Sequence, residues 1–412
     1  MKTDLDSLMK AQNIDALLIT GSAQHNPPMV YMTGIGHVTN ADLIKVYEKE
    51  PVLFHNSMER EEAARTGLKC VNYADFPLAD CRKEAGGDLT RAYAIRYRKM
   101  LISQGVEGGT VGIYGVGEVG SHFSIFNLLQ SVMPEVKFIG FPEDKILLAA
   151  MMTKDMKEID RIRAVGQATV DIVGRTADFI TSHKVKNEIV IKADGSPLTI
   201  GEVKSRINLW VAEKGLENPE GTIFAIGRDA GIPHSTGTSS DPLTLGKTIV
   251  FDFFPCEAGG GYYYDFTRTW SLGYATDEAL KLYEQVKEVY DTVSRELRVN
   301  EPFFNSQART CELFEAMGHP TIYSQPNTEN GYNHSLGHGV GLRVHEKPFT
   351  GSHLFKSEDL LLPGSVFTLE PGLYYPEKGM GVRLENTVWV KPDGKFEVFA
   401  DYPMELVLKM KG

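Results

Sequence analysis

Short apolar runs alternate with segments of helical period along the first third of the chain. Residues 5–13 read as a short helix, followed by the strand Ala16-Leu17-Leu18-Ile19 and a turn at Gly21. Pro51-Val52-Leu53-Phe54 repeats the strand pattern before an acidic helical segment that begins near Met58. Thr110-Val111-Gly112-Ile113-Tyr114 comes next, then a helix whose Phe123, Ile125, Phe126, Leu129 and Val132 fall mostly on one side. Val136-Lys137-Phe138-Ile139 closes the series as a strand. Alternation of this kind predicts a largely parallel or mixed sheet covered by helices.

Near residue 150 the pattern changes. Asp155-x-x-Glu158 opens a helix carrying Ile159, Ile162 and Val165 at apolar spacing. Thr199-x-x-Glu202 reads as a capping box with Gly215 as the stop, and Val203, Ile207, Trp210 and Val211 recur at helical period between them. A third helix spans roughly Glu278–Leu297, and the rest of the C-terminal chemistry lies on strand-like segments. The expectation is an α/β (α+β) protein of two domains, residues 1–150 and 151–412.

Composition narrows the function. The 412 residues carry 43 Lys+Arg against 54 Asp+Glu, a formal charge of −11, with no cationic block. That balance disfavours nucleic acid, whose phosphates need clustered cations. No apolar run approaches the ~18–20 residues of a spanning helix, and MKTDLDSLMKAQN lacks the apolar core of a secretory signal. A cytoplasmic protein without a membrane partner is expected. Cys70, Cys81, Cys256 and Cys311 stand far apart without C-x-x-C, and read as inert thiols.

Two segments echo one another. Gly246-Lys-Thr-Ile-Val-Phe-Asp252 resembles Gly364-Ser-Val-Phe-Thr-Leu-Glu370, and Asp265-Phe-Thr267 resembles Glu385-Asn-Thr387. Two such hairpins, each offering two carboxylates, suit a pseudo-two-fold domain. Asp252 and Glu370 both follow apolar strand residues, where an unpaired carboxylate is costly. The neighbouring strands add more acid, relieved only by Arg268 and Arg383. Separations of 13 residues (Asp252 to Asp265) and 15 (Glu370 to Glu385) let each pair straddle a hairpin on one face. His334, His338 and His345 lie within twelve residues of a Gly-rich segment. One imidazole among four carboxylates is an oxygen-rich set favouring Mn²⁺, Co²⁺ or Fe²⁺, with Zn²⁺ as a further candidate. Four negative charges are cancelled by two divalent ions.

The order Asp252, Asp265, His338, Glu370, Glu385 resembles that of the pita-bread metallopeptidases, the group of methionine aminopeptidase, aminopeptidase P, prolidase and creatinase. The resemblance is strongest over residues 151–412. The first 150 residues look like the smaller N-terminal domain of the aminopeptidase P and prolidase branch. It implies a pita-bread catalytic domain and an Xaa-Pro aminopeptidase or dipeptidase acting on small peptides. It further implies that Asp252 binds one of two metal ions, Asp265 and Glu385 bridge both, and His338 and Glu370 complete the coordination of the second ion. Glu370 would also shuttle a proton for a bridging water. His234, His334 and His345 would surround substrate and oxyanion, Arg383 would act behind the metals or on substrate, and the chain would be a homodimer. The turn Glu257-Ala-Gly-Gly-Gly261 makes the first acid pair more widely spaced than in the family pattern.

Three other readings compete. Gly115-x-Gly117-x-x-Gly120 follows a strand and precedes a helix, as in dinucleotide sites, with Glu143 and Asp144 as ribose ligands. Against it, Glu118 sets a negative charge where a pyrophosphate would lie, and a tight strand–helix turn is preferred. A non-peptide hydrolase or lyase on the same metals, and a non-catalytic binding module of the same fold, are the remaining alternatives.

Overall fold

This computed structural model describes residues 4–34, 37–351 and 356–411. The chain divides into two compact units, Met1–Met151 with Gly259–Gly261, and Met152–Ala258 with Tyr262–Gly412.

In the first unit the strands are β1 (Ala16–Gly21), β2 (Ala41–Val46), β3 (Val52–His55), β4 (Lys69–Asn72), β5 (Gly109–Gly115) and β6 (Val136–Ile139). They form one sheet in the order β4-β3-β2-β1-β5-β6. β1, β5 and β6 run parallel, as do β3 and β4, whereas β2 is antiparallel to both its neighbours. The sheet is therefore mixed. β2 lacks a plain apolar run because it buries Asp42 and Lys45. Tyr73 and Tyr97 donate to Asp42 at 2.6 and 2.9 Å, and Lys45 reaches Asp6 at 2.6 Å. On the helix Val119–Val132, Ile125, Phe126, Leu129 and Val132 join the core, while Val119 and Phe123 stand in solvent. Its apolar side is only partly core.

The second unit opens with the helix Met156–Thr181, started by a capping box between Asp155 and Glu158. Thr199 and Glu202 form the same device ahead of Ile200–Glu213, and Gly215 follows at φ +67°. The strands are β7 (Lys184–Lys186), β8 (Ile189–Ile191), β9 (Leu216–Glu217), β10 (Thr222–Ile226), β11 (Thr248–Phe253), β12 (Cys256–Glu257) and β13 (Phe266–Leu272). They continue as β14 (His338–Gly339), β15 (Glu346–Phe349), β16 (Val366–Leu369), β17 (Gly372–Tyr375), β18 (Met380–Arg383), β19 (Asn386–Val390), β20 (Phe396–Val398) and β21 (Val407–Leu408). One sheet has the order β10-β11-β13-β21 and another β15-β14-β16-β19-β20; the rest are two-stranded ribbons.

β11 pairs antiparallel with β13 and β16 with β19, so the two acid-bearing segments of each echo lie side by side. The helix Asp277–Glu296 buries Leu282, Val286, Val289 and Val293 in a cluster with Phe303, Phe367, Leu369 and Val388. That apolar layer backs the strand leading to Glu370 and fixes where its carboxylate emerges. No helix among the described residues is long and apolar enough to cross a membrane.

Candidate metal centre

Each acid sits at or just beyond the end of a buried strand. Asp252 lies on β11 opposite Thr267 of β13, and Asp265 immediately precedes β13. Glu370 follows β16, and Glu385 falls between β18 and β19. Asp252, Asp265, His338 and Glu385 are all buried. One ligand atom each from Asp265, His338 and Glu385 lie within 4.8 Å of one another. His338 Nε2 is 3.2 Å from Glu370 Oε1 and 3.7 Å from Asp265 Oδ2. Glycines bring His338 there: a Cβ on Gly337 would lie 2.1 Å from the Thr368 carbonyl oxygen, and one on Gly339 2.0 Å from that of Lys347. No side chain fits at either position.

The echoed threonines reach across between the two halves. Thr267 Oγ1 donates to Glu385 Oε2 at 2.6 Å, and the Glu385 N–H donates to the Thr267 carbonyl at 3.1 Å. Thr387 Oγ1 donates to the Asp265 carbonyl at 2.7 Å and accepts the Asp265 N–H at 3.2 Å. Thr368 Oγ1 donates to Glu370 Oε1 at 3.0 Å. The two arginines divide their work. Arg383 Nη2 donates to Asp252 Oδ2 at 2.5 Å, its Nη1 to the Pro233 carbonyl and to Tyr374 Oη, and its Nε to Thr267 Oγ1. Arg268 spends its guanidinium on the carbonyls of Thr267, Glu385, Tyr402 and Pro403 and on Asn386, and pairs with none of the four acids.

The electrostatics follow from four carboxylates sharing one guanidinium. Burial first, then the charge of Asp252, raises the Asp265 pKa well above the usual range; burial and Asp265 do the same to Glu385. Burial opposes protonation of His338, but its hydrogen bond to Glu370 and the charges of Glu370 and Asp265 outweigh it, pushing it up to about 9. Burial likewise works against ionised Glu370, yet His338, His334 and Arg383 hold it at about 2.

The other histidines differ among themselves. His345 is exposed, with its ring 4.1 Å from that of His338, and desolvation and the His338 charge bring it down to about 4. His234 is exposed on the turn beside Pro233. His334 has both ring nitrogens engaged, Nδ1 at 2.6 Å from the Ser335 carbonyl and Nε2 at 3.0 Å from Tyr374 Oη. The Ser335 carbonyl can only accept, which assigns the proton of the neutral His334 ring to Nδ1 and leaves Nε2 to accept from Tyr374 Oη. Burial brings His334 down to about 4, consistent with a neutral ring.

The sequence pattern of metallopeptidase family M24 matches residues 160–392. This protein belongs to metallopeptidase family M24. An Xaa-Pro dipeptidase of Pyrococcus horikoshii is 32% identical over 286 residues, 68% of this chain and 72% of that protein. A probable dipeptidase PepE of Mycobacterium tuberculosis is 27% identical over 264 residues. The match spans 64% of this chain and 62% of that mycobacterial protein's length. In fold, a Bacillus anthracis Xaa-Pro dipeptidase superposes with a TM-score of 0.75 at 21% identity, covering 98% of this chain and 97% of that one. A Pyrococcus horikoshii dipeptidase does so at 0.73 and 22%, covering 98% of each. These likenesses establish the two-domain pita-bread architecture.

Members of the M24 family use divalent metals, and the donor set of this chain fits one. Asp252 Oδ1, Asp265 Oδ1 and Glu385 Oε1 are buried carboxylate oxygens without a hydrogen-bond donor. Left so, each would carry a large desolvation cost that a cation removes. Cys256 lies nearby in sequence, but it is buried, its thiol pushed up to about 12 by burial, which makes it a poor thiolate donor.

Several groups of this M24 centre escape a reading of the sequence by motif. Tyr374 connects Arg383 to His334, and only the β17–β18 ribbon, between Glu370 and Glu385, brings it there. The threonines were visible as an echo, but their crossed partners were not. Glu346, next to His345, turns back to accept the Leu342 N–H at 3.1 Å and pairs with the buried Lys154. The echo of [Asp/Glu]-x-Thr is the one signal that could have pointed to any of them.

Proposed function

We propose that the chain is a dinuclear-metal exopeptidase that cleaves Xaa-Pro bonds in small peptides, as a dipeptidase or an aminopeptidase. The observation that carries the reading is the convergence of Asp265, His338 and Glu385 with undonated carboxylate oxygens turned inward. Asp252, Asp265, His338, Glu370 and Glu385 would hold the two ions, with Mn²⁺ the first candidate and Co²⁺, Fe²⁺ or Zn²⁺ the others. When bound, such ions lower the pKa of water and polarise the scissile carbonyl.

The chain's own residues do the rest. Glu370 is ionised, and its Oε1 accepts from Thr368 Oγ1, leaving Oε2 to take the proton of the attacking water and return it to the departing amine. His345 and His234, exposed at the edge of the cluster, donate N–H to the oxygen that gains charge in the transition state. Neutral His345 does this without adding a second positive charge. His334, with its Nε2 engaged by Tyr374, packs and orients the pocket wall and does not donate to substrate. Arg383 acts behind the site by fixing Asp252, Tyr374 and the Pro233 carbonyl together. The similar Pyrococcus and Bacillus proteins are Xaa-Pro dipeptidases, which supports Xaa-Pro substrates here.

The test is hydrolysis by Mn²⁺-loaded protein of Ala-Pro, Ala-Pro-Ala and Ala-Ala, followed by chromatography. Release of alanine from Ala-Pro alone indicates a dipeptidase, and from both proline peptides an aminopeptidase. Cleavage of Ala-Ala alone, or of none, contradicts the reading.

A further inference from the structure

The first unit contains a cavity of about 690 Å³ that none of the carboxylates or histidines of the metal centre lines. It opens beyond the carboxyl ends of β1 and β5, with Thr20, Gly21, Val116 and Gly117 on its rim. The chain leaves β1 towards β2 on one side, and leaves β5 towards β6 on the other. Crevices where the connections of an open α/β sheet part in this way are its customary ligand sites. The volume lies within the range of roughly 300–1,000 Å³ typical of small-molecule pockets.

The Gly115-x-Gly117-x-x-Gly120 turn borders this crevice but is not built for a phosphate. A Cβ on Gly115, at φ +128°, would fall 2.0 Å from the Thr20 carbonyl oxygen, so this glycine serves the close approach of β5 to β1. The N–H groups of Gly120 and Ser121, which a pyrophosphate would need, donate to Glu118 at 3.0 and 2.6 Å. Asp144 is spent as well, accepting Tyr114 and the N–H groups of Ile146, Leu147 and Leu148.

The remaining polar walls offer donors. Asp42, the one carboxylate in the lining, accepts from the hydroxyls of Tyr73 and Tyr97, one on each oxygen. Arg96 lies 4.4 Å over the Tyr73 ring and gives Nε to the Phe76 carbonyl and Nη2 to that of Tyr73. Among the described residues its Nη1 has no hydrogen-bond partner and it forms no ion pair, although its charge acts on Asp42. Asn56 and Asn72 use their amide oxygens to accept the N–H groups of Met58 and Ala74, and among the described residues neither NH₂ group has an acceptor. Three side chains of the wall thus offer donors, one of them cationic, while its single carboxylate already accepts from two tyrosines.

We propose that this cavity is a second ligand site, for a small carboxylate of the size of an N-acylated amino acid. Arg96 Nη1 takes the carboxylate, Asn56 and Asn72 donate to its remaining oxygens, and the tyrosine rings cover its apolar part. The site stands apart from the proposed peptidase reaction and does not depend on it.

Isothermal titration of the full-length, metal-loaded protein tests this, with hippurate as probe and inorganic phosphate as the competing anion. Saturable binding of hippurate is expected, about tenfold or more weaker in Arg96→Met, as expected for loss of a charge-assisted hydrogen bond. Asn56→Asp keeps the acceptor used by Met58 but replaces the free NH₂ with a repelling oxygen, and should weaken binding similarly. Glu370→Gln should leave it unchanged. The proposal is overturned if hippurate gives no binding up to about 10 mM, if both lining variants bind as wild type, if Glu370→Gln abolishes binding, or if phosphate binds equally well.

Discussion

Replacing Lys154 by Met should destabilise the second unit more than any comparable surface change. The side chains of Lys154 and Glu346 are 1% and 0% exposed, and they form an ion pair across 192 residues of chain. The Glu346 carboxylate is packed so tightly on the backbone that a Cβ on Gly341 would lie 2.1 Å from its Oε1, and its Oε2 accepts the Leu342 N–H. In Lys154→Met the carboxylate stays buried without its cation, a loss of about 3–5 kcal/mol. At about 2–4 °C per kcal/mol for a unit of this size, the melting temperature should fall by roughly 6–20 °C. Glu346→Gln keeps an acceptor for Leu342 and removes the charge. The double variant Lys154→Met/Glu346→Gln should therefore recover most of the loss. Urea unfolding of wild type, both single variants and the double variant gives the coupling energy directly. A single-variant cost under about 1 kcal/mol, or strict additivity, would refute the argument that an uncompensated buried charge dominates.

Three further predictions concern the metal centre. In metal-free protein His338 is protonated up to about pH 9, and a metal needs its lone pair, so binding must expel a proton. Apparent affinity should then fall by about tenfold per pH unit below 9 for each proton displaced, with proton release visible as buffer-dependent heats; affinity flat between pH 6 and 9 would contradict this. The sign for stability runs the other way: His338, raised above its ordinary 6.5, stabilises the metal-free fold below that value and loses the contribution as pH climbs through about 9. His345→Ala should keep the metal and lower turnover by about 10²–10³-fold, read by elemental analysis beside kcat; loss of metal would show that its role is misassigned. Tyr374→Phe removes the hydroxyl between Arg383 and His334, and should cost about 10–100-fold in activity with the fold intact; unchanged kinetics would remove Tyr374 from the account.

What the sequence revealed was local. The capping boxes at Asp155 and Thr199 need only a few neighbouring residues, and both helices begin there. The acids at the ends of apolar strands were visible because a carboxylate in such a setting is costly wherever the chain goes. β2 was harder to read, since its buried Asp42 and Lys45 look polar until Tyr73, Tyr97 and Asp6 are brought to them. The helix Leu89–Ser103, with Arg and Tyr along its length, was hidden for the same reason: its burial of Ala94, Met100 and Leu101 depends on the sheet it covers, and that of Ala92 and Ile95 on the helix Leu78–Glu84. Long-range partners stayed invisible altogether. Nothing near Glu385 announces that its hydrogen bond comes from Thr267, 118 residues away, and nothing near Arg383 that its guanidinium serves Asp252, 131 residues away. The exposed Val119 and Phe123 show the reverse, apolar residues at helical spacing that the fold leaves in water.

The central claim is that the inward-facing carboxylates and His338 gather two divalent ions per chain. Equilibrium dialysis against Mn²⁺ followed by elemental analysis measures it, on wild type and on Asp265→Ala. Wild type should hold two ions per chain and the variant near none; a wild type holding one or none, or an Asp265→Ala protein as full as its parent, would overturn the assignment.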